Sequence, residues 1–209
     1  MLRSTLLAGA AAGLLSLAAC SDAVGPASSA LSADEAQALG LSMAGLTTDA
    51  LGDAFTGPGS ADRIANGPSA DVITTNESFS RTRACPAGGT VTVSGTRQGT
   101  YDTTAKTGSW SETATRVDAA CAHTVRAGVT VTVTGAPNVA LTSSHSRTAG
   151  VAGVWTHTEK GAFDWTRGEG KSGHCTVDVT STFNPATHTL HVSGTICNRT
   201  FDRTVTRTT

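Results

Sequence analysis

From residue 71 onward the chain alternates apolar and hydroxyl side chains with a period of two, which restricts it to pleated strands carrying two chemically different faces. The clearest stretch is Val125 to Thr134, where Val129, Val131 and Val133 interleave with Thr130, Thr132 and Thr134. Gly, Pro and Asn interrupt the pattern at short intervals and mark turns. Strands are expected at 71–84, 89–101, 108–118, 123–134, 138–147, 153–159, 162–168, 174–183, 188–198 and 200–207. Most connections are shorter than the roughly dozen residues that a parallel crossover needs, so neighbouring strands should pair antiparallel. The expected fold is mainly β: an antiparallel up-and-down meander forming a curved sheet or barrel, preceded by a short N-terminal helical segment.

Charge supports this vocabulary and adds an asymmetry. Charged residues make up 15% of the chain, against roughly 25% in ordinary globular proteins, and Thr, Ser and Gly fill the deficit. Residues 21–80 hold eight Asp/Glu against one Arg, a net of −7; residues 81–209 hold thirteen Lys/Arg against eight Asp/Glu, a net of +5. An acidic leading segment therefore joins a mildly basic body. Within that leading segment Ser32-Ala33-Asp34-Glu35 reads as a capping box that starts a helix. Ala36, Leu39 and Met43 make a narrow apolar stripe, and Gly40 and Gly45 set the expected end near Ala44, with a shorter helical turn over 49–55. Thr56 to Ala70, punctuated by Gly57-Pro58-Gly59 and Gly67-Pro68, reads as a linker.

Four cysteines belong to the body: Cys85, Cys121, Cys175 and Cys197. If the strands run alternately up and down from Asp71, all four reach the same rim. Cys85 with Cys121 and Cys175 with Cys197 are then the most local pairings among the possible connectivities. No C-x-x-C spacing occurs and the separations are too wide for a compact zinc knuckle, so disulfides are expected and no metal. One conflict is visible in advance. A hairpin about Pro185-Ala186-Thr187 that sets Cys175 opposite Cys197 puts Val177 and Val179 on the face opposite Leu190, Val192 and Ile196, unless a one-residue bulge intervenes.

The search for chemistry is mostly negative. No Gly-rich phosphate loop, G-x-S-x-G elbow or H-E-x-x-H pair is present, and no cofactor or catalytic residue is expected. His123, His145, His157, His174, His188 and His191 are scattered, and Glu159, Asp164 and Glu169 read as ordinary surface charge. Glu159-Lys160-Gly161 suits a hairpin loop, which would set Trp155 across from Trp165 and His157 across from Phe163 as an aromatic cluster, read as core rather than ligand platform. Arg199, Arg203 and Arg207 share strand parity, as do Arg81 and Arg83; closure of the meander would merge these rows into an anion patch for an acidic envelope polymer. Nucleic acid is not an expected partner, because the formal charge is only −1 and no aromatics interleave with the arginines.

The first twenty residues, MLRSTLLAGAAAGLLSLAAC, carry Arg3 as their only charge and then an uncharged Leu/Ala/Gly run, the pattern of a secretory signal peptide. Leu17-Ala18-Ala19-Cys20 resembles the lipobox of bacterial lipoproteins. That resemblance implies cleavage before Cys20, lipidation of Cys20 as the first residue of the mature chain, and a membrane partner reached through the lipid. Ser21 at the next position fits sorting to the outer membrane. Export also fits oxidised cysteines. The organisation read from the sequence is a signal peptide over 1–20, an acidic tether with a short helix and linker over 21–70, and a β domain over 71–209. The function expected is that of a non-enzymatic, structural or partner-binding lipoprotein of the cell envelope. The alternative is a carrier or binder of an apolar ligand or acidic envelope polymer in a barrel-like domain.

Overall fold

The computed structural model describes residues 30–56, 72–135, 139–168 and 170–207, with the side chains of 53–56 outside the description. One helix, α1 (Ala33–Thr56), precedes eleven strands: β1 (Val72–Ala84), β2 (Thr90–Asp102), β3 (Thr107–Ala119), β4 (Cys121–Arg126), β5 (Val129–Thr134), β6 (Val139–Thr148), β7 (Val151–Ala152), β8 (Trp155–Arg167), β9 (Lys171–Asn184), β10 (Thr189–Ile196) and β11 (Arg199–Thr206). All strand pairs are antiparallel and follow the order β1-β2-β3-β6-β8-β9-β10-β11. The sheet is a curved meander that does not close: β1 and β11 are its two edges.

Helix α1 occupies the concave side. Both arms of the expected capping box are made: the Ser32 amide donates to Glu35 Oε2 at 3.0 Å and the Glu35 amide to Ser32 Oγ at 3.2 Å. The helix does not stop near Ala44; it continues as a single element of 24 residues. From Glu35 to Gly52 none of its residues is exposed, and Leu39, Met43, Ala44 and Leu51 share one core with Val133, Val179, Val192 and Phe201 of the sheet. Burial on every side outweighs the cost of interior glycine, about 1 kcal/mol each. Gly40 is itself a contact: a Cβ there would stand 2.7 Å from Cζ of Phe201. The helix expected within a tether is thus part of the domain's interior. No helix among the described residues is long and apolar enough to cross a membrane.

Three local expectations are corrected. The run 123–134 is not one strand but the β4–β5 hairpin, reversing at Ala127-Gly128, where Gly128 adopts φ of +72°. Since β4 follows β3 after only Ala120, this hairpin prolongs the strands that pair as β3 and β6, and β5 docks on the far half of β8. Conversely, 153–159 and 162–168 do not form a hairpin. They are the single strand β8, paired along one side with β9 and along the other with β6 and then β5, so Gly161 sits within the ladder opposite Val177. The third correction resolves the cysteine conflict without a bulge. The β9–β10 turn spans Pro185 to His188, not three residues, which puts Val177, Val179, Leu190, Val192 and Ile196 on one buried face. Cys197 lies beyond the strand with φ of +51° and so escapes the strand's alternation.

Both expected disulfides are present, Cys85–Cys121 with Cα atoms 5.4 Å apart and Cys175–Cys197 at 4.4 Å. The registers place them toward the same end of the sheet. Cys121 stands opposite Val133, Val133 opposite Trp165, and Cys175 opposite Phe163 two positions along the same strand.

Candidate functional site

The concave face beneath α1 carries a buried charge network that strand alternation makes local and the sheet makes continuous. Glu112, Arg116 and Asp118 are alternate residues of β3 and therefore all point inward. Arg116 is fully buried; its Nε and Nη2 donate to Asp118 Oδ2 and Oδ1 at 2.9 and 2.7 Å, and its Nη1 donates to the Met43 carbonyl at 2.8 Å and Thr47 Oγ1 at 3.0 Å. Glu159 Oε2 lies 3.5 Å from the same Nη1. Burial pulls the Arg116 pKa down, but the Asp118 and Glu159 carboxylates more than offset it and hold the value above normal. Glu159 is the mirror case. Burial pushes its pKa up, while His157, 3.7 Å away, and Arg116 carry it below the ordinary carboxylate value. A second buried pair lies alongside: Arg97 donates through Nε and Nη2 to Glu112 Oε1 at 2.7 and 2.6 Å.

Around these pairs the registers align a polar belt across the sheet: Glu77, Arg97, Glu112, Ser143, His157 and Ser181 stand opposite one another from β1 to β9. Ser181, His157 and Glu159 bring the residue types of nucleophilic catalysis to adjacent positions. Their geometry does not assemble that chemistry. Ser181 Oγ and His157 Nε2 have no hydrogen-bond partner among the described residues, and all three side chains lie under α1 with exposures of 0, 3 and 1%.

His123 is the second element of this wall. Its Nδ1 is 2.8 Å from Ser42 Oγ of α1 and its Nε2 is 3.2 Å from Cys121 Sγ. Burial, reinforced by Arg116, lowers its pKa to about 4, and burial with Arg97 lowers His145 to about 3; both rings are uncharged at neutral pH. Asp118, Cys121 and His123 each offer a donor atom, all within 4.8 Å of one another. The absence of C-x-x-C spacing argues only against a compact zinc knuckle, because the spacing of cysteines does not register a histidine and a carboxylate carried by the same β3–β4 segment.

The arginines singled out from the sequence are distributed over the two sheet edges, Arg81 and Arg83 on β1, Arg199 and Arg203 on β11 and Arg207 just beyond its end. Because β1 and β11 do not pair, the two rows do not merge. Arg207 instead bonds Asp49 of α1 at 2.7 Å. Charged residues on edge strands oppose pairing with other chains. Arg199 belongs to a different cluster: with Arg126 and Arg167 it lines a cleft of about 330 Å³ around Leu31, Ser32 and Glu35. Burial works against ionisation of Glu35, yet the Ser32 hydrogen bonds and the Arg167 and Arg126 charges, at 2.6 and 3.3 Å, hold its pKa low. Two cations thus pair with one carboxylate, and Arg199 lines the same cleft.

The expected aromatic cluster is not formed. Trp155, His157, Phe163 and Trp165 lie along one strand, with Trp155 and Trp165 separated by ten residues, about 33 Å of extended chain. Phe163 and Trp165 are core, and His157 belongs to the polar belt. The aromatic contacts run across strands instead, as a row of Tyr101, Trp110, His145, Trp155 and Phe183 with successive centroids 5.1 to 5.9 Å apart. Glu159, expected on the surface, is 1% exposed, whereas Asp164 is exposed and paired with His174 at 2.8 Å. Cys20 and Glu169 lie outside the described residues. Comparison with family models, with curated proteins and with solved structures returns no match to this chain.

Proposed function

We propose that the chain is a lipid-anchored, non-enzymatic partner-binding protein of the cell envelope, held through Cys20 and acting through its outer surface and rims. The observation that carries this reading is the occupancy of the concave face. A carrier needs an enclosed apolar volume of several hundred Å³, and here α1 fills the interior while charged pairs line much of the wall. What remains exposed is the convex face, including a shallow groove bounded by the hydroxyl and amide groups of Thr74, Asn76, Gln98, Thr100, Ser109 and Ser111. The lipobox-like Leu17-Ala18-Ala19-Cys20 supports the anchor and its place in the envelope, with Ser21 favouring the outer membrane. Intact mass of the mature product should give an acylated Cys20 as its first residue; an unmodified amino terminus would overturn the anchoring. Native mass spectrometry should show no stoichiometric lipid, and a retained lipid would favour the carrier.

The basic cleft favours a second reading within the same class, recognition of an acidic envelope polymer such as lipopolysaccharide. Arg126 and Arg199 are both exposed beside Arg167. Charge reversal at Arg126 and Arg199 should abolish retention on a polyanionic matrix at low salt, where unchanged retention would exclude the cleft.

A further inference from the structure

We infer that Cys85, Cys121, His123 and Asp118 constitute a binding site for a divalent cation of the zinc class, available when the Cys85–Cys121 bond is reduced and abolished when it forms. The two disulfides differ in a way that disulfide bonding alone does not require. Cys175 stands opposite Phe163, and the Cys197 amide bonds the Thr176 carbonyl; among the described residues that pair belongs to no group of three metal-ligating side chains. Cys121 instead has a histidine nitrogen 3.2 Å from its sulfur and a buried carboxylate donor within 4.8 Å. Burying a histidine, an aspartate and an arginine beside a disulfide is costly and adds nothing to the crosslink.

The donor set matches zinc. Two sulfurs, one imidazole nitrogen and one carboxylate oxygen make a tetrahedral complement, and metal–ligand distances of about 2.0–2.3 Å place such donors roughly 3.3–3.8 Å apart. Ser42 Oγ engages His123 Nδ1 at 2.8 Å, which directs Nε2 toward the sulfur, the orienting arrangement common to metal-bound histidines. The Asp118 oxygens each accept one bond from Arg116 and retain further lone pairs for a bridging role. Charge is also accommodated: two thiolates, one carboxylate and a dication sum to −1, beside the Arg116 guanidinium. Three of the donors come from the short segment Asp118 to His123, and Cys85, just beyond β1, is held at Cys121 by the register of the sheet, their Cα atoms 5.4 Å apart.

The switch balances as thiol–disulfide exchange. A dithiol supplies two electrons and two protons, its own sulfurs becoming a disulfide; the Cys85–Cys121 bond breaks to two thiols, and the dication displaces both thiol protons on binding. Cys85, 7% exposed against 0% for Cys121, is the sulfur nearer solvent. The site does not depend on the lipid anchor.

The test uses the purified chain with Cys20→Ser, reduced by a dithiol and then titrated with Zn²⁺, or with Co²⁺ for its thiolate charge-transfer absorption. The reduced chain should take up one equivalent and the oxidised chain none. Cys175→Ser/Cys197→Ser should retain uptake and Cys85→Ser/Cys121→Ser should lose it. Ser42→Ala, which keeps every donor, should weaken affinity by about tenfold. Lack of uptake by the reduced chain, folded or unfolded, overturns the assignment. So does uptake that persists in Cys85→Ser/Cys121→Ser, disappears in Cys175→Ser/Cys197→Ser, or is indifferent to Ser42→Ala.

Discussion

The wall of the concave face built from β2 to β4 and the wall built from β9 to β11 pack against the same helix with opposite chemistry. Along β9 to β11 the buried side chains are Cys175, Val177, Val179, Ser181, Leu190, Val192, Ile196 and Phe201, with one hydroxyl and no charge. Along β2 to β4 they include Arg97, Glu112, Arg116, Asp118 and His123. The helix matches each side: Gly40 admits the Phe201 ring, whereas Ser42, Thr47 and the Met43 carbonyl meet the charged wall. The apolar wall holds the helix by packing, with the Phe201 ring seated against Gly40. The charged wall is selective, since Arg116 reaches its helix partners only when Met43 and Thr47 lie at one height.

The comparison can be broken most severely at Arg116. Arg116→Met leaves Asp118 and Glu159 without their shared cation and should cost about 3–5 kcal/mol in urea unfolding. Replacing all three together by apolar residues of similar volume should recover most of that loss, because the penalty lies in the uncompensated charge. In the apolar wall Leu190→Ala should cost about 3 kcal/mol, with the same value at pH 7 and pH 5.

Acid should act on the buried ionisable groups, none of which lies in the apolar wall. His123 and His145, with pKa values of about 4 and about 3, remain uncharged in the folded chain while the unfolded chain takes up protons below about 6.5. Stability should therefore fall as pH drops from about 6.5 to about 4 for His123 and on to about 3 for His145, by about 1.4 kcal/mol per pH unit for each ring. The lowered carboxyl groups of Glu159 and Glu35 contribute stability above the ordinary carboxylate range, and it is lost as pH falls through their lowered values. Urea midpoints across this range should fall for the parent and flatten in His123→Gln/His145→Gln; a parent midpoint that does not move would contradict the buried, uncharged state of both rings. The smallest effect is expected at the helix start, where Ser32→Ala removes one arm of the capping box and should cost about 1 kcal/mol.

The extent to which these features were legible depends on the range of the interaction behind them. The helix start at Ser32 and the alternation of β5 are local and visible. Intrinsic propensity predicts an early end to helix α1 because of Gly40, whose value lies in the approach of Phe201 from 161 residues further along the chain. Glu159-Lys160-Gly161 carries a genuine turn signal, overruled because β9 pairs with β8 without a break across it. The charged wall had no sequence signature: Glu159 resembles any surface carboxylate until β8 and β3 face one helix.

By itself the sequence determined the strand-rich character, the antiparallel order, the capped start of the helix and the most local cysteine pairing, since each follows from side-chain periodicity, loop length or contacts a few residues apart. Tertiary structure alone decided that the helix fills the sheet and which charges become buried partners. Those outcomes depend on the relative placement of distant strands, where desolvation turns an ordinary ionisable residue into one that must find a specific counterpart.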